Sequence, residues 1–189
     1  MKVRQSGFTL VELMVVVTIA VILLSLAAPS FRSMLVKRGV QSAADVLVSD
    51  LRYARSEALK RSSTVIVCNS LNGSSCMALC SPAVPNVCAP TASWRGGWIV
   101  FADSNGNGSV DAGEILRVQD ALLSMASIAS TNPANDRLNF VYLPSGWARA
   151  SSQTFIFTPE GGAASAARVV CVSSQGRAAL KAEGSTSCV

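Results

Sequence analysis

The stretch Gly7-Phe8-Thr9-Leu10-Val11-Glu12-Leu13 opens an apolar run that continues to Ala28, with Glu12 as its only charge. About 20 residues of helix, at 1.5 Å rise each, cross a bilayer core, and Phe8 to Ala28 has that length. The Val- and Ile-rich composition does not oppose a helix here, because a backbone in lipid must satisfy its own hydrogen bonds. Met1 to Gly7 is short, polar and basic, and Lys2 and Arg4 belong on the cytoplasmic side. Two readings compete. An ordinary secretory signal would be cut at a small-residue site such as Ser25-Leu26-Ala27. Alternatively the cut falls between Gly7 and Phe8 and the helix is retained. Glu12 favours the second reading, since a carboxylate at membrane depth is costly and by default functional, with a partner.

Beyond the run, Val36, Val40, Ala44, Leu47, Leu51, Ala54 and Ala58 recur at three- and four-residue steps from Phe31 to about Arg61. That is one face of an amphipathic helix, a seam against a sheet. Arg32, Lys37, Arg38, Arg52, Arg55, Lys60 and Arg61 flank the stripe and read as a solvated face. Short strand patterns follow at Val65-Ile66-Val67, Trp98 to Phe101, Ile115 to Val118, Leu138 to Leu143, Phe155-Ile156-Phe157 and Val169 to Val172, with Gly, Asn, Pro and Ser between them. One long helix and then consecutive strands predict an α+β fold with a mainly antiparallel sheet. The expected organisation is a leader over 1–7, a membrane helix over 8–28, its amphipathic continuation over 29–62 and a soluble β-rich domain over 63–189.

The whole sequence of 189 residues carries a formal charge of +5, which falls to +3 if Lys2 and Arg4 leave with a leader. That is too weak to imply nucleic acid by itself. There is no histidine, which removes the commonest general base and metal ligand. The six cysteines, Cys68, Cys76, Cys80, Cys88, Cys171 and Cys188, form an even set beyond a membrane-directing segment and suggest disulfides in an oxidising compartment. Proximity in the chain favours Cys68–Cys76, Cys80–Cys88 and Cys171–Cys188, although other pairings stay open. Zinc would need a CxxC knuckle or a Cys/His mixture, and neither is present.

Two further motifs stand out. Asp103, Asn105, Asn107, Asp111 and Glu114 fall at places 1, 3, 5, 9 and 12 of a loop with glycine at place 6, the oxygen-donor spacing of an EF-hand calcium site. The flanks read as strands, so a polar hairpin turn competes with calcium binding. Otherwise no cofactor is expected. Near the C-terminus, Gly176-Arg177 is followed by Lys181, and Arg168 lies upstream. These three cations are a candidate DNA contact, through the phosphates. A turn glycine beside a surface arginine is the alternative. No nucleophile elbow, P-loop or dinucleotide fingerprint is visible, so no catalytic residues are assigned and an enzyme is not expected.

The residues from Gly7 to Leu13 resemble the class III signal of type IV pilins and pseudopilins. The resemblance implies a prepilin peptidase that cuts after Gly7 and methylates Phe8. It also implies that Glu12 meets the terminal amine of a neighbouring subunit, and Pro29 falls where pilins commonly carry a helix-kinking proline. Arg52-Tyr53-Ala54-Arg55-Ser56-Glu57-Ala58, Trp98 to Phe101 with Asp103, and Gly176-Arg177 resemble landmarks of the GspH/FimT pilin family. A pilin-like fold is then expected, with the long helix packed on the sheet. The implied function is that of a minor pilin in type IV pilus assembly. A type II secretion pseudopilin and a DNA-binding pilin are the alternatives. The implied partners are other major and minor pilins, the prepilin peptidase, the assembly platform and the inner membrane, with DNA as a further candidate. The implied location is single-pass in the inner membrane with a periplasmic C-terminal domain, then the filament. DNA-binding members carry a second arginine two residues after the Gly-Arg pair, where this chain has Ala179.

Overall fold

A computed structural model describes residues 7, 9–77, 93–131, 139–149, 152–161, 164–185 and 187–188. The chain divides into two compact units, Met1–Val36 and Lys37–Val189. One helix, α1, runs from Leu10 to Arg61 and belongs to both. Thr9 starts it: the Glu12 N–H donates to Thr9 Oγ1 at 3.2 Å, and the Leu13 N–H to Thr9 O at 3.2 Å. A Thr at the cap with Glu three places on is a capping-box pattern, and the acid also suits the positive end of the helix dipole. Ser62, with φ at 51°, ends the helix in the left-handed region.

In the first unit every described side chain from Thr9 to Ser25 is exposed, although nearly all are apolar. α1 is long and apolar enough here to cross a membrane, judged by length and composition. In the second unit the same helix is amphipathic. Val40, Ala44, Leu47, Leu51, Ala54 and Ala58 of the expected stripe are all fully buried. Ala44, Ala54 and Ala58 on that face, with Ala43, are small and let the helix backbone come close to what it covers.

The strands are β1 (Thr64–Asn69), β2 (Trp98–Asp103), β3 (Ile115–Gln119), β4 (Met125–Thr131), β5 (Asn139–Tyr142), β6 (Ser152–Pro159), β7 (Arg168–Ser173) and β8 (Ala178–Leu180). They make two four-stranded sheets rather than one, ordered β3-β2-β1-β5 and β4-β6-β7-β8. Every pairing is antiparallel. The expected six strands are present, and β4 and β8 are additional. β4 escapes a sequence reading because its Ser, Ala and Thr carry little strand signal. It is fixed by its ladder with β6 and by a bridge from Ser93 to Ala129.

Strand alternation sorts the core. Val65 and Val67 of β1 join Val100 of β2, Phe140 and Tyr142 of β5, Phe155 and Phe157 of β6 and the helix stripe in one large cluster. Ile66 and Cys68 point the other way and meet Ile99, Phe101 and Val141, with Cys76 and Val110 packed on them. β1, β2 and β5 are therefore buried on both faces, whereas β3 at the sheet edge is largely exposed. Loops rather than a helix contribute cover to the second face of this sheet, and the Cys68–Cys76 disulfide ties one of them down. Full burial of an aromatic or branched side chain stabilises by about 1.5–3 kcal/mol, so this dense aromatic core supplies most of the driving force.

Candidate functional site

The N-terminal segment brings Glu12 onto an exposed apolar helix. Its backbone N–H is capped by Thr9, while its carboxylate has no hydrogen bond or ion pair among the described residues. Gly7 is exposed with open space around it. Phe8 lies outside the described residues. A lone carboxylate on a surface that avoids water is a group waiting for a cation.

The loop between β2 and β3 holds the five oxygen-bearing residues of the calcium spacing. Asp111 Oδ2 accepts from both Asn105 Nδ2 and Asn107 Nδ2, each at 2.7 Å. Those two amides, Asn105 first, hold the Asp111 carboxyl below its ordinary value. Asn105 Oδ1 accepts from the Asn107 N–H and Asn107 Oδ1 from the Ser109 N–H. Glu114 spans the loop, accepting from the Ser104 N–H at 2.8 Å and the Asp111 N–H at 3.2 Å. Among the described residues, no three His, Cys, Asp or Glu side chains are gathered closely enough to hold a metal ion.

The three cations expected at a phosphate contact are not brought together. β7 and β8 pair with Val172 opposite Ala178 and Val170 opposite Leu180. Lys181 therefore lies beside Val169, to whose carbonyl its N–H donates, while Arg177 lies at the other end of the ladder beside Ser173. Four residues of strand, about 13 Å, separate them. Arg168 is committed to Glu183 at 3.6 Å, and Glu183 also takes Lys37 Nζ at 2.7 Å. The hydrogen bond and charge of Lys37 hold the Glu183 carboxyl below its ordinary value.

Arg177 has different neighbours. The Ala148 N–H donates to Ser174 O at 3.0 Å, and the Tyr142 hydroxyl donates to Gly176 O at 3.3 Å. Burial pushes the Tyr142 phenol well above its ordinary value. Gly176 has φ at 74°, and a Cβ there would lie 2.5 Å from Gly146 O, so both the turn and the close approach need glycine. Gly146 O accepts from Arg55 Nε at 3.0 Å. Arg55 is thus half-buried and bonded rather than solvated, contrary to the expectation for that helix face. Trp147 and Arg149, on the same turn, are exposed together with Arg177. The corner combines an indole with arginines, and no acid lies on the two turns that form it.

A buried polar centre was not anticipated. Asp50 sits on the buried helix face and accepts from Trp98 Nε1 at 2.8 Å and from Arg117 Nη1 at 2.6 Å. The Arg117 guanidinium also lies over the Tyr53 ring, 4.2 Å from its centroid. The signal was present: Asp50 lies three places after Leu47 and four before Ala54, within the apolar stripe.

Two disulfides form as expected, Cys68–Cys76 and Cys171–Cys188. The expected Cys80–Cys88 pair lies outside the described residues. Glu183 and Cys188 together fasten the C-terminal segment to β7 and to the helix at Lys37.

The prokaryotic N-terminal methylation motif matches residues 2–28. Two crystal forms of the type IV minor pilin FimU from Pseudomonas aeruginosa strain PAO1 share the fold. The P21 form aligns with TM-score 0.53 and 20% identity over 79% of this chain and 95% of that one. The P65 form aligns with TM-score 0.51 and 20% identity over 79% and 99%. At such identity the likeness is one of fold. No curated relative matches the chain. The family model described as type II transport protein GspH matches residues 43–176, which takes in the buried helix stripe from Ala44 on, strands β1 to β7 and Gly176, and the chain therefore belongs to the GspH family.

Proposed function

We propose that the chain is a minor pilin of a type IV pilus, incorporated through its N-terminal helix and active in assembly at the priming or tip stage. The prepilin peptidase cuts after Gly7 and methylates Phe8. The subunit then waits in the inner membrane with its domain on the periplasmic side. Filament entry moves the helix from lipid onto neighbouring pilin helices, where packing and polar pairing matter more than water exclusion. Glu12 supplies the pairing by meeting the terminal amine of a neighbour, since opposite charges attract strongly in a dry setting. The observation that carries this reading is Glu12 itself, a carboxylate without a partner among the described residues, on an exposed apolar helix that continues into the folded domain. The fold of the FimU minor pilin supports it. The test is Glu12→Ala in the native host. The variant should be cleaved to a mature chain starting at methylated Phe8, yet be missing from sheared filaments. Normal incorporation, or a mature start near Ala28, refutes the reading.

Two other readings have observations in their favour. The family description, type II transport, favours a minor pseudopilin. Deletion would then abolish type II secretion and leave pili intact. Trp147, Arg149 and Arg177 on one corner favour a DNA-binding pilin, because indole faces stack on bases and arginines meet phosphates. Binding of purified protein to DNA should weaken with salt and be lost in Arg177→Ala. No binding at low salt ends that reading.

A further inference from the structure

We propose that the β2–β3 loop is a calcium site, with Asp103, Asn105, Asn107, Asp111, Glu114 and the Ser109 carbonyl as its oxygen donors. Spacing alone would not carry this, since a polar turn of Asn and Gly can satisfy itself. Burial carries it further. Asp103 and Glu114 keep only 7% and 8% of their surface exposed. Neither forms an ion pair among the described residues. A carboxylate buried without a charged partner is complemented by a cation. Glu114 at least spreads its charge over two backbone N–H groups. Asp103 does not: Oδ1 is buried without a hydrogen-bond partner, while Oδ2 accepts from the Gly108 N–H at 3.1 Å. That bond turns the carboxylate into its own loop and leaves one oxygen for a ligand. An unsatisfied buried oxygen of this kind calls for a specific explanation.

The backbone agrees. Gly108, at the sixth place, has φ at 72°, as the sharp turn of a calcium loop requires. Val110, two places on, packs against the Ile66, Ile99 and Phe101 cluster and anchors the loop to the sheet. The side chains of Asn105, Asn107 and Asp111 already meet. Two amide N–H groups now supply the positive charge that Asp111 faces. Cation capture displaces those two N–H bonds from Asp111, and each amide oxygen, which already accepts one backbone N–H, keeps a second lone pair for the ion. Three of the six expected donors, Asn105, Asn107 and the Ser109 carbonyl, are amide or main-chain carbonyls, and the other three, the carboxylates of Asp103, Asp111 and Glu114, stand apart in the structure and have to be drawn together by the ion. All the donors are hard oxygens. That suits calcium, with six to eight ligands at variable geometry, over magnesium, which demands a near-ideal octahedron.

The test is calorimetric titration and thermal unfolding of the full chain in detergent after chelator treatment, with calcium chloride and with magnesium chloride. One calcium should bind per chain with Kd of about 10⁻⁴–10⁻³ M, the range of extracellular modules, and raise the unfolding midpoint. Asn105→Ala with Asp111→Ala changes only exposed side chains. The pair should weaken calcium binding by at least about tenfold and leave a cooperative transition without calcium. A flat titration to about 10 mM calcium, unchanged affinity in the double variant, or equal binding of magnesium overturns the assignment.

Discussion

Replacing Asp50 with alanine removes the acceptor at the centre of the domain. The carboxylate now takes Trp98 Nε1 at 2.8 Å and Arg117 Nη1 at 2.6 Å, and its side chain is only 3% exposed. Trp98 is fully buried, so its indole N–H would be orphaned at a cost of about 1–3 kcal/mol. Arg117 is 42% exposed and recovers water, so its share is only about 0–1 kcal/mol. Loss of the stacked geometry over Tyr53 adds about 0.5 kcal/mol. Asp50→Ala should therefore cost about 3 kcal/mol, the sum of these terms. Asp50→Asn keeps an acceptor for Trp98 and gives up only the charge, and should cost about 1 kcal/mol. Urea unfolding of the detergent-solubilised chain, followed by tryptophan fluorescence, measures both. Urea is preferred to guanidinium because it does not screen the pair. If Asp50→Ala falls within about 0.5 kcal/mol of the parent, or Asp50→Asn is as damaging as Asp50→Ala, the indole bond is not what Asp50 contributes.

Gly176→Ala should destabilise the domain by about 2–3 kcal/mol in the same assay, combining the left-handed backbone cost with steric overlap. Its Cβ would meet Gly146 O at 2.5 Å and Tyr142 Cε1 at 2.8 Å. A neutral result would mean that the two turns are not in contact. Glu183→Gln tests the C-terminal fastening. Lys37 depresses the Glu183 carboxyl from its ordinary 4.5, so the contribution is present above that pH and is lost as pH falls through the lower folded value. The stability difference between parent and variant should therefore appear at pH 6, shrink below about pH 4.5 and diminish with added salt. A pH-independent difference would mean that charge is not what Glu183 supplies.

The elements most legible in sequence are those with a strong period. The helix stripe from Val40 to Ala58 is buried as the three- and four-residue spacing requires, β6 alternates with a period of two, and β1 and β2 read as short continuous apolar runs that are buried on both faces. Division into two sheets was not legible, because each strand's pattern says which face is buried and not which partner lies beside it. β4 failed for composition, and β8 because three residues carry no period. The short disulfides were readable since neighbouring cysteines close small loops. The spacing of the basic residues near the C-terminus does not by itself say which share a surface: Arg177 and Lys181 flank β8 and so lie at its opposite ends.

Asp50 shows how a site can be visible in the pattern yet misread. A helix face that buries Leu47, Leu51 and Ala54 must also bury a residue at position 50, and burying an acid is tolerable only with donors at hand. The helix phase alone therefore required partners for Asp50, although it could not name them. Trp98 and Arg117 come from different strands, and they meet Asp50 because β2 and β3 pair with Val100 opposite Arg117, two residues from Trp98. The same logic applies to Glu12. An acid placed on an apolar helix also requires a donor, and none of the described residues supplies it. For Asp50 the donors lie within the fold. For Glu12 a neighbouring subunit of the proposed filament would supply one, and the pair would then serve assembly rather than the fold of one chain.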